Sequence, residues 1–255
     1  MIRLHPDFLR LPLAHRALHV PGTERVENSR AAIRGAIAAG YGIEIDIQMS
    51  SDGVAMVFHD DALDRLTDAA GPIRAQSAAG LAGVMLKGTE ESIPTLAEVL
   101  GEVAGRVPLL IELKDQHGQM GATTGALEAA VVRDLEGYGG PVALMSFNPD
   151  MVTRLADLAP HLARGIVSCD YAPEDSPELT AEICDRLRAI PDAEASGASF
   201  ISHQWDDLER PRVAELKAAG LDVLCWTIRT PEAAKAARHI AQNITFEGYL
   251  PPLPA

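Results

Sequence analysis

Short β-rich runs alternate with Ala- and Leu-rich amphipathic runs along almost the whole chain, and no other feature limits its fold as strongly. The eight strand-like runs are Leu11–His15, Gly42–Gln48, Pro108–Leu113, Val142–Ser146, Ala163–Ser168, Ala198–Ser202, Asp222–Thr227 and Gln242–Phe246. Helical runs follow most of them: Asn28–Ala39, with Asn28 as N-cap and Gly40 as stop, then Thr95–Ala104 after Pro94, Met120–Glu136, Pro149–Leu158, Pro177–Ala189, Asp206–Ala219 and Pro231–Ile240. Repeated strand–helix units imply a parallel sheet, because parallel neighbours need crossover connections. Eight such units in 255 residues match an α/β TIM (β/α)8 barrel, with a doubly wound open sheet as the alternative.

One stretch breaks the rhythm. Ser50-Ser51-Asp52-Gly53 is a hairpin turn signal, after which Val54–His59 runs back as a short strand. Residues from about 60 to 92 then read as irregular structure with brief helices, a small insertion after strand 2. In an alternating barrel a long segment of this kind sits at the C-terminal face, where loops carry function. With Ser50–Gly53 as the turn, residue 49 pairs with 54, and counting outward sets His59 opposite Glu44, give or take one residue.

Composition narrows the class. A chain of 255 residues, 47% hydrophobic, can bury a sizeable core, and its scattered Gly and Pro leave no linker, so one domain over 1–255 is expected. The formal charge of −14 speaks against nucleic acid, which needs a basic face. An anionic ligand would have to be drawn by local cations or a metal. The three cysteines, Cys169, Cys184 and Cys225, form no CxxC pattern and read as thiols of a reducing compartment. No leader-like segment opens the sequence and no apolar run approaches the ~20 residues of a membrane span, so a cytoplasmic protein without an integral membrane segment is expected, as monomer or homodimer.

The chemistry concentrates in Gly42–Gln48. Ile43, Ile45 and Ile47 alternate with Glu44, Asp46 and Gln48, and a strand sends alternate side chains to opposite faces. If the isoleucines meet the helices, Glu44 and Asp46 point into the barrel, where unpaired carboxylates cost several kcal/mol each. In strand three, Glu112 and Lys114 likewise share the face opposite Ile111 and Leu113. Glu44, Asp46 and Glu112 would then form an oxygen-only site for a hard divalent cation, Mg²⁺ or Ca²⁺. His15 and Arg16 end strand one beside them.

These residues carry a family resemblance. His15-Arg16-Ala17, Val26-Glu27-Asn28-Ser29, Glu44-Ile45-Asp46, Asp52-Gly53 and His59-Asp60 resemble, in order, the motifs of the glycerophosphodiester phosphodiesterases. Leu63-Asp64-Arg65-Leu66-Thr67, Ile93–Leu100, Ile111-Glu112-Leu113-Lys114, Ser146-Phe147-Asn148 and Val223–Thr227 resemble further segments, so the match runs from residue 13 to about 232. The resemblance implies metal-dependent hydrolysis of a small-molecule glycerophosphodiester to sn-glycerol 3-phosphate and an alcohol. By analogy His15 and His59 are the acid/base pair, Glu44, Asp46 and Glu112 the metal ligands, and Arg16 and Lys114 phosphate contacts.

Other assignments follow. Glu27 orients the substrate or supports the site from behind, Phe147 and Trp226 are core or a wall for the glycerol group, Asp60 orients His59, and Asp61 is solvated. Of the other histidines, only His117 and His203, near strand ends, are candidates for the site. Four departures stand out. Ala17 replaces Gly, which is expected to require a negative φ. Val26 and Ser29 replace Pro and Thr, and the last strand lacks the family's Asp-Gly ending. A lysophospholipase D or phospholipase C-like enzyme would need an apolar rim, for which Leu81, Val84, Met85 and Leu86 are the candidates. A non-catalytic phosphate-binding barrel would need a missing histidine or ligand carboxylate, and none is missing.

Overall fold

Gly42–Met49, at the heart of the sequence argument, is a strand with partners on both sides, and the sheet it belongs to closes on itself. The computed structural model describes residues 2–174 and 177–254; Met1 and Ala255, the ends of the expected domain, lie outside the described residues. The strands are β1 (Leu13–Ala14), β2 (Gly42–Met49), β3 (Ala55–Val57), β4 (Leu109–Leu113), β5 (Val142–Ser146), β6 (Ala163–Ser168), β7 (Phe200–Gln204), β8 (Asp222–Ile228) and β9 (Asn243–Phe246). All but β3 pair in parallel, and β1 joins both β2 and β9, which closes an eight-stranded barrel and excludes the open sheet. Among the described residues no helix is long and apolar enough to cross a membrane.

Strand alternation sorts the side chains as their chemistry requires. Ile43, Ile45, Ile47, Leu109, Ile111 and Leu113 are fully buried against the outer helices. At about 1.5–3 kcal/mol for each large apolar side chain, this face fixes the register, since a one-residue slip would put the carboxylates there instead. The lower interior is apolar: Leu4 and Phe8 rise from below to pack with Leu13, Leu110, Phe200 and Leu224. Gly165 is obligatory in this layer, because a Cβ there would lie 2.4 Å from the Phe200 ring.

The floor explains why β1 is shorter than the expected Leu11–His15. Pro12 has no N–H for a ladder. Residues Asp7–Arg10 form a short helix under the barrel, held where Asn243 Nδ2 donates to the carbonyls of Phe8 and Leu11 at 2.7 and 2.6 Å. A two-residue β1 covers only Gly42 and Ile43 of β2. The upper edge of β2 is therefore open, and β3 takes it, antiparallel, pairing Ile47 with Val57 and Met49 with Ala55. That register is shifted by one residue from the expected one, because Ser50, and not residue 49, closes the turn onto Val54. Counting outward, His59 comes level with Ile45 rather than Glu44.

The insertion behaves as a small second core. Met56, Phe58, Leu63, Ile73, Leu81, Leu86 and Ile93 are buried together. Leu81 and Leu86 are thus unavailable for an apolar rim, and of the four candidates only Met85 is exposed. Several helix boundaries also move: the helices expected from Pro177 and from Asp206 run over Ala181–Arg188 and Pro211–Ala218, and the one expected to reach Ile240 ends at Ala237. Arg30–Ala39 is capped by Ser29, whose Oγ accepts from Ala32 N at 3.1 Å, and not by Asn28. The helix expected over Met120–Glu136 begins only at Ala126, behind a left-handed Gly125. Cys184 and Cys225 are buried thiols.

Candidate active site

The interior turns polar where β1, β2 and β4 approach the C-terminal face. Glu44 and Asp46 are each 2% exposed and Glu112 7%, and ligand oxygens of the three lie within 4.8 Å of one another. Two cations share this cage. Lys114 Nζ sits 2.8 Å from Glu112 Oε1 and 3.6 Å from Asp46 Oδ1, and Arg16 Nε is 3.6 Å from Asp46 Oδ2. Asn28 donates to Asp46 Oδ2 at 3.0 Å, which is what its left-handed backbone (φ 59°) serves in place of capping.

Residues 16 and 17 make the turn that brings the Arg16 backbone to the cage. Arg16 N donates to Glu44 Oε2, and Ala17 N to the Glu44 carbonyl, both at 2.9 Å. Both residues are left-handed, with φ of 51° and 64°, so the negative φ expected at Ala17 is wrong. The turn imposes the glycine conformation although a methyl group is present.

Electrostatics separates the two β2 carboxylates. Burial, with Asp46 and Glu112 as like-charged neighbours, pushes Glu44 well above the usual carboxylate range. Burial also opposes ionisation of Asp46, but Lys114, His59 and Arg16 outweigh it and hold Asp46 at about 2. Counting formal charges, three carboxylates against two cations leave one negative charge in excess. A divalent cation would reverse that sign. The donor set, carboxylate oxygens alone in a buried cluster, is one a hard cation fits and one that suits zinc poorly.

Each of the two histidines is held by a carboxylate. His15 Nδ1 lies 2.7 Å from Glu247 Oε2, and His59 Nδ1 lies 2.7 Å from Asp60 Oδ1. A carboxylate only accepts, so each Nδ1 carries the proton and each Nε2 is left for the cavity that both rings line. The His15 hydrogen bond holds Glu247 at about 2. Burial resists ionisation of Asp60, but hydrogen bonds from His59 and Arg65 win, and its carboxyl falls far below the usual range.

Asp60 therefore lies where the sequence suggested, beside His59, whereas Glu247 was missed. Its signal was present: β9 pairs with β1 in register, Ala14 with Phe246, so the next residues, His15 and Glu247, meet at the mouth. Reading the last strand for an Asp-Gly ending hid a Glu-Gly that supplies a carboxylate. Asp61 is exposed but also accepts from Gln48 Nε2 at 2.9 Å, so it is not merely solvated.

His15, Arg16, Glu44, Asp46, His59, Glu112, Lys114, Phe147 and Trp226 all line one cavity of about 150 Å³. Glu27 stands behind it, 2.9 Å from Arg16 Nη1. Phe147 and Trp226 form the facing wall, edge to face at 5.5 Å between centroids, with Trp226 Nε1 donating to the Ser202 carbonyl at 3.0 Å. The cavity opens into a vestibule of about 640 Å³. His203 and His117 lie outside the site. The former is buried between Ser168 and Asp207, and the latter is exposed and lines neither space.

Comparison with known proteins places this chain among relatives. The family model described as "Glycerophosphoryl diester phosphodiesterase family" matches residues 15–243. A glycerophosphodiester phosphodiesterase of Caldanaerobacter subterraneus subsp. tengcongensis is 30% identical over 168 residues, covering 62% of this chain and 66% of that protein. The structure of an Oleispira antarctica phosphodiesterase in complex with the product sn-glycerol-3-phosphate superposes with a TM-score of 0.75 at 27% identity, over 92% of this chain and 93% of that one. A glycerophosphodiester phosphodiesterase structure from Thermotoga maritima shares the fold, with a TM-score of 0.69 at 22% identity over 93% and 94% of the two chains.

Proposed function

Because the chain belongs to the glycerophosphoryl diester phosphodiesterase family, we propose that it hydrolyses small glycerophosphodiesters to sn-glycerol 3-phosphate and an alcohol, with Mg²⁺ or Ca²⁺ held by Glu44, Asp46 and Glu112. The observation that carries the reading is the pair of carboxylate-held imidazoles lining one cavity with that buried cage.

A phosphodiester is a monoanion with a poor alkoxide leaving group, so hydrolysis needs charge neutralisation, a base and an acid. A bound divalent cation would act as a Lewis acid toward a non-bridging phosphoryl oxygen. Arg16 and Lys114 add positive charge on the same wall, and the cage with its cation would carry one net positive charge, the counterpart of the monoanion. One histidine, neutral at Nε2, takes the proton of the attacking oxygen, that of water directly or that of the glycerol 2-hydroxyl, whose cyclic phosphate water then opens to glycerol 3-phosphate; the other, protonated at Nε2, gives its proton to the departing alcohol oxygen. Glu247 and Asp60 hold the rings and stabilise whichever imidazolium is present. Phe147 and Trp226 offer an apolar face to the carbon skeleton of the glycerol group.

The test is release of glycerol 3-phosphate from glycerophosphocholine or glycerophosphoethanolamine by the purified protein, measured across a panel of divalent cations and with chelator. Turnover that requires Mg²⁺ or Ca²⁺ is expected. Absence of turnover of every glycerophosphodiester on that panel sinks the reading.

A further inference from the structure

The insertion is not needed to close the barrel, yet its Arg65 reaches two carboxylates that hold groups of the site. Arg65 lies between Leu63 and Leu66, both packed in the insertion's own core. Its backbone is pinned, with Lys87 Nζ donating to the carbonyls of Asp64 and Arg65 at 2.7 and 3.2 Å, and Thr67 Oγ1 to that of Leu63 at 2.9 Å. From this fixed turn the guanidinium grips two carboxylates at once. Nε and Nη2 meet the two oxygens of Asp60 at 2.6 and 2.8 Å, and Nη1 and Nη2 meet those of Glu27 at 2.9 and 2.7 Å.

Each carboxylate has a second partner inside the site: Asp60 holds His59 Nδ1 at 2.7 Å, and Glu27 holds Arg16 Nη1 at 2.9 Å. An unbroken line of charge-assisted contacts thus links His59 to Arg16, with Arg65 at its centre.

We propose that Arg65 is a positioning residue of the phosphodiesterase site, fixing the His59 ring and the Arg16 guanidinium relative to each other through Asp60 and Glu27. The inference rests on the reading above that His59 and Arg16 act on the substrate. The side chain of Arg65 is 48% exposed, and a single pair at such exposure would be worth little. Two forked pairs on one guanidinium are a different case, because geometry as well as charge is specified. Oxygens of Glu27 and Asp60 and a ring nitrogen of His59 all lie within 4.8 Å of one another. Without the guanidinium between them the two carboxylates repel, and each is freed to turn its partner. Lysine cannot replace it, since one ammonium has no second edge to offer.

The experiment compares Arg65→Gln, Arg65→Lys, Asp60→Asn and the double variant Asp60→Asn/Arg65→Gln in the full chain. Steady-state kinetics and thermal melting are read alongside the His59 side-chain ¹⁵N and ¹H resonances. Losing a residue that orients a functional group costs roughly 10–100-fold. Arg65→Gln should lose kcat by that order while the melting temperature stays near wild type, and Arg65→Lys should recover little of it. The double variant should lose less than the product of the two single losses, because the substitutions share the Asp60–His59 arm and differ only in the Glu27–Arg16 arm, and the His59 Nδ1–H signal should shift in Arg65→Gln. Wild-type kcat with an unmoved His59 signal overturns the proposal, as do losses that add fully in the double variant or that merely track unfolding. An inactive wild type would refute the proposed function instead, and the His59 signal would still decide whether Arg65 orients that ring.

Discussion

At the floor of the barrel Leu13, Leu110, Phe200 and Leu224 meet as an apolar layer, while a residue or two further along β2 and β4 the same interior holds Glu44, Asp46, Glu112 and Lys114. Identical backbone geometry serves opposite ends. The floor gains free energy by removing carbon from water. The mouth spends it by removing charges from water, and recovers part through the pairing of Lys114 and Arg16 with the carboxylates. Stability and chemistry are therefore stacked along the barrel axis, and substitutions at the two levels should fail in different ways.

The largest effects set the levels apart most clearly. His15→Ala and His59→Ala should each lower kcat/KM by about 10²–10⁴-fold, the usual weight of a general acid or base, in assays of glycerol 3-phosphate release. Their melting temperatures should remain close to wild type, since neither ring belongs to the apolar layer. Phe200→Ala should do the reverse. Emptying a fully buried ring site costs about 3–5 kcal/mol, read by denaturant unfolding, while activity per folded molecule stays near wild type. A histidine variant that unfolds, or a Phe200 variant that stays stable, would erase the division.

Cation binding gives a second contrast of intermediate size. A ligand at a hundred times its Kd stabilises the native state by about 2.7 kcal/mol. Saturating Mg²⁺ or Ca²⁺ should raise the melting temperature of wild type and of floor variants alike. Asp46→Asn should abolish that rise, because it removes a buried ligand charge at the mouth. A rise that survives in Asp46→Asn would place the cation elsewhere.

A smaller effect belongs to Glu247. Its carboxyl ordinarily titrates near 4.5 and is held at about 2 by the His15 hydrogen bond. A depressed carboxyl contributes stability that is present above its unfolded value and lost as pH falls through its folded one. Wild type should therefore be more stable than Glu247→Gln at neutral pH, by about 1 kcal/mol for a partly exposed pair. The gap should close as pH falls from 4.5 to about 2. A gap that persists at the acid end would mean that packing, not the ionised pair, separates the two proteins.

The same division explains what could be read from sequence. Alternation of Ile with Glu and Asp in β2 placed the mouth correctly, because period-2 patterning follows directly from strand geometry. His59 was also recoverable, since the turn residues Ser50–Gly53 announce the hairpin, although the exact register was not: Ser50, and not residue 49, closes on Val54, which shifts the pairing by one residue. Glu247 could be recognised only by knowing that the last strand abuts the first, a fact of barrel closure and not of local sequence. Asn28 and Ser29 are both cap-forming types, and only Asp46, distant in sequence, decides which of them caps. The shortness of β1 depends on a floor assembled from residues 4–11 and from Asn243 at the far end of the chain.

The smallest prediction concerns the joint between the two levels. Ala17 is buried, 2% exposed, and left-handed at φ 64°, a conformation that costs a non-glycine residue about 1–2 kcal/mol. Ala17→Gly removes that strain but gives up one buried methyl group, worth about 0.8 kcal/mol, and adds flexibility to the unfolded chain, worth about 0.4–1 kcal/mol. The terms nearly cancel, so unfolding free energies of the two proteins should agree within about 1 kcal/mol. Activity should be retained, because glycine can keep the hydrogen bonds from the backbone N–H groups of residues 16 and 17 to Glu44. A large gain in stability would show that the turn beneath the carboxylate cage stores more strain than its backbone angle alone accounts for. A large loss would move Ala17 from the mouth's machinery to the core that supports it.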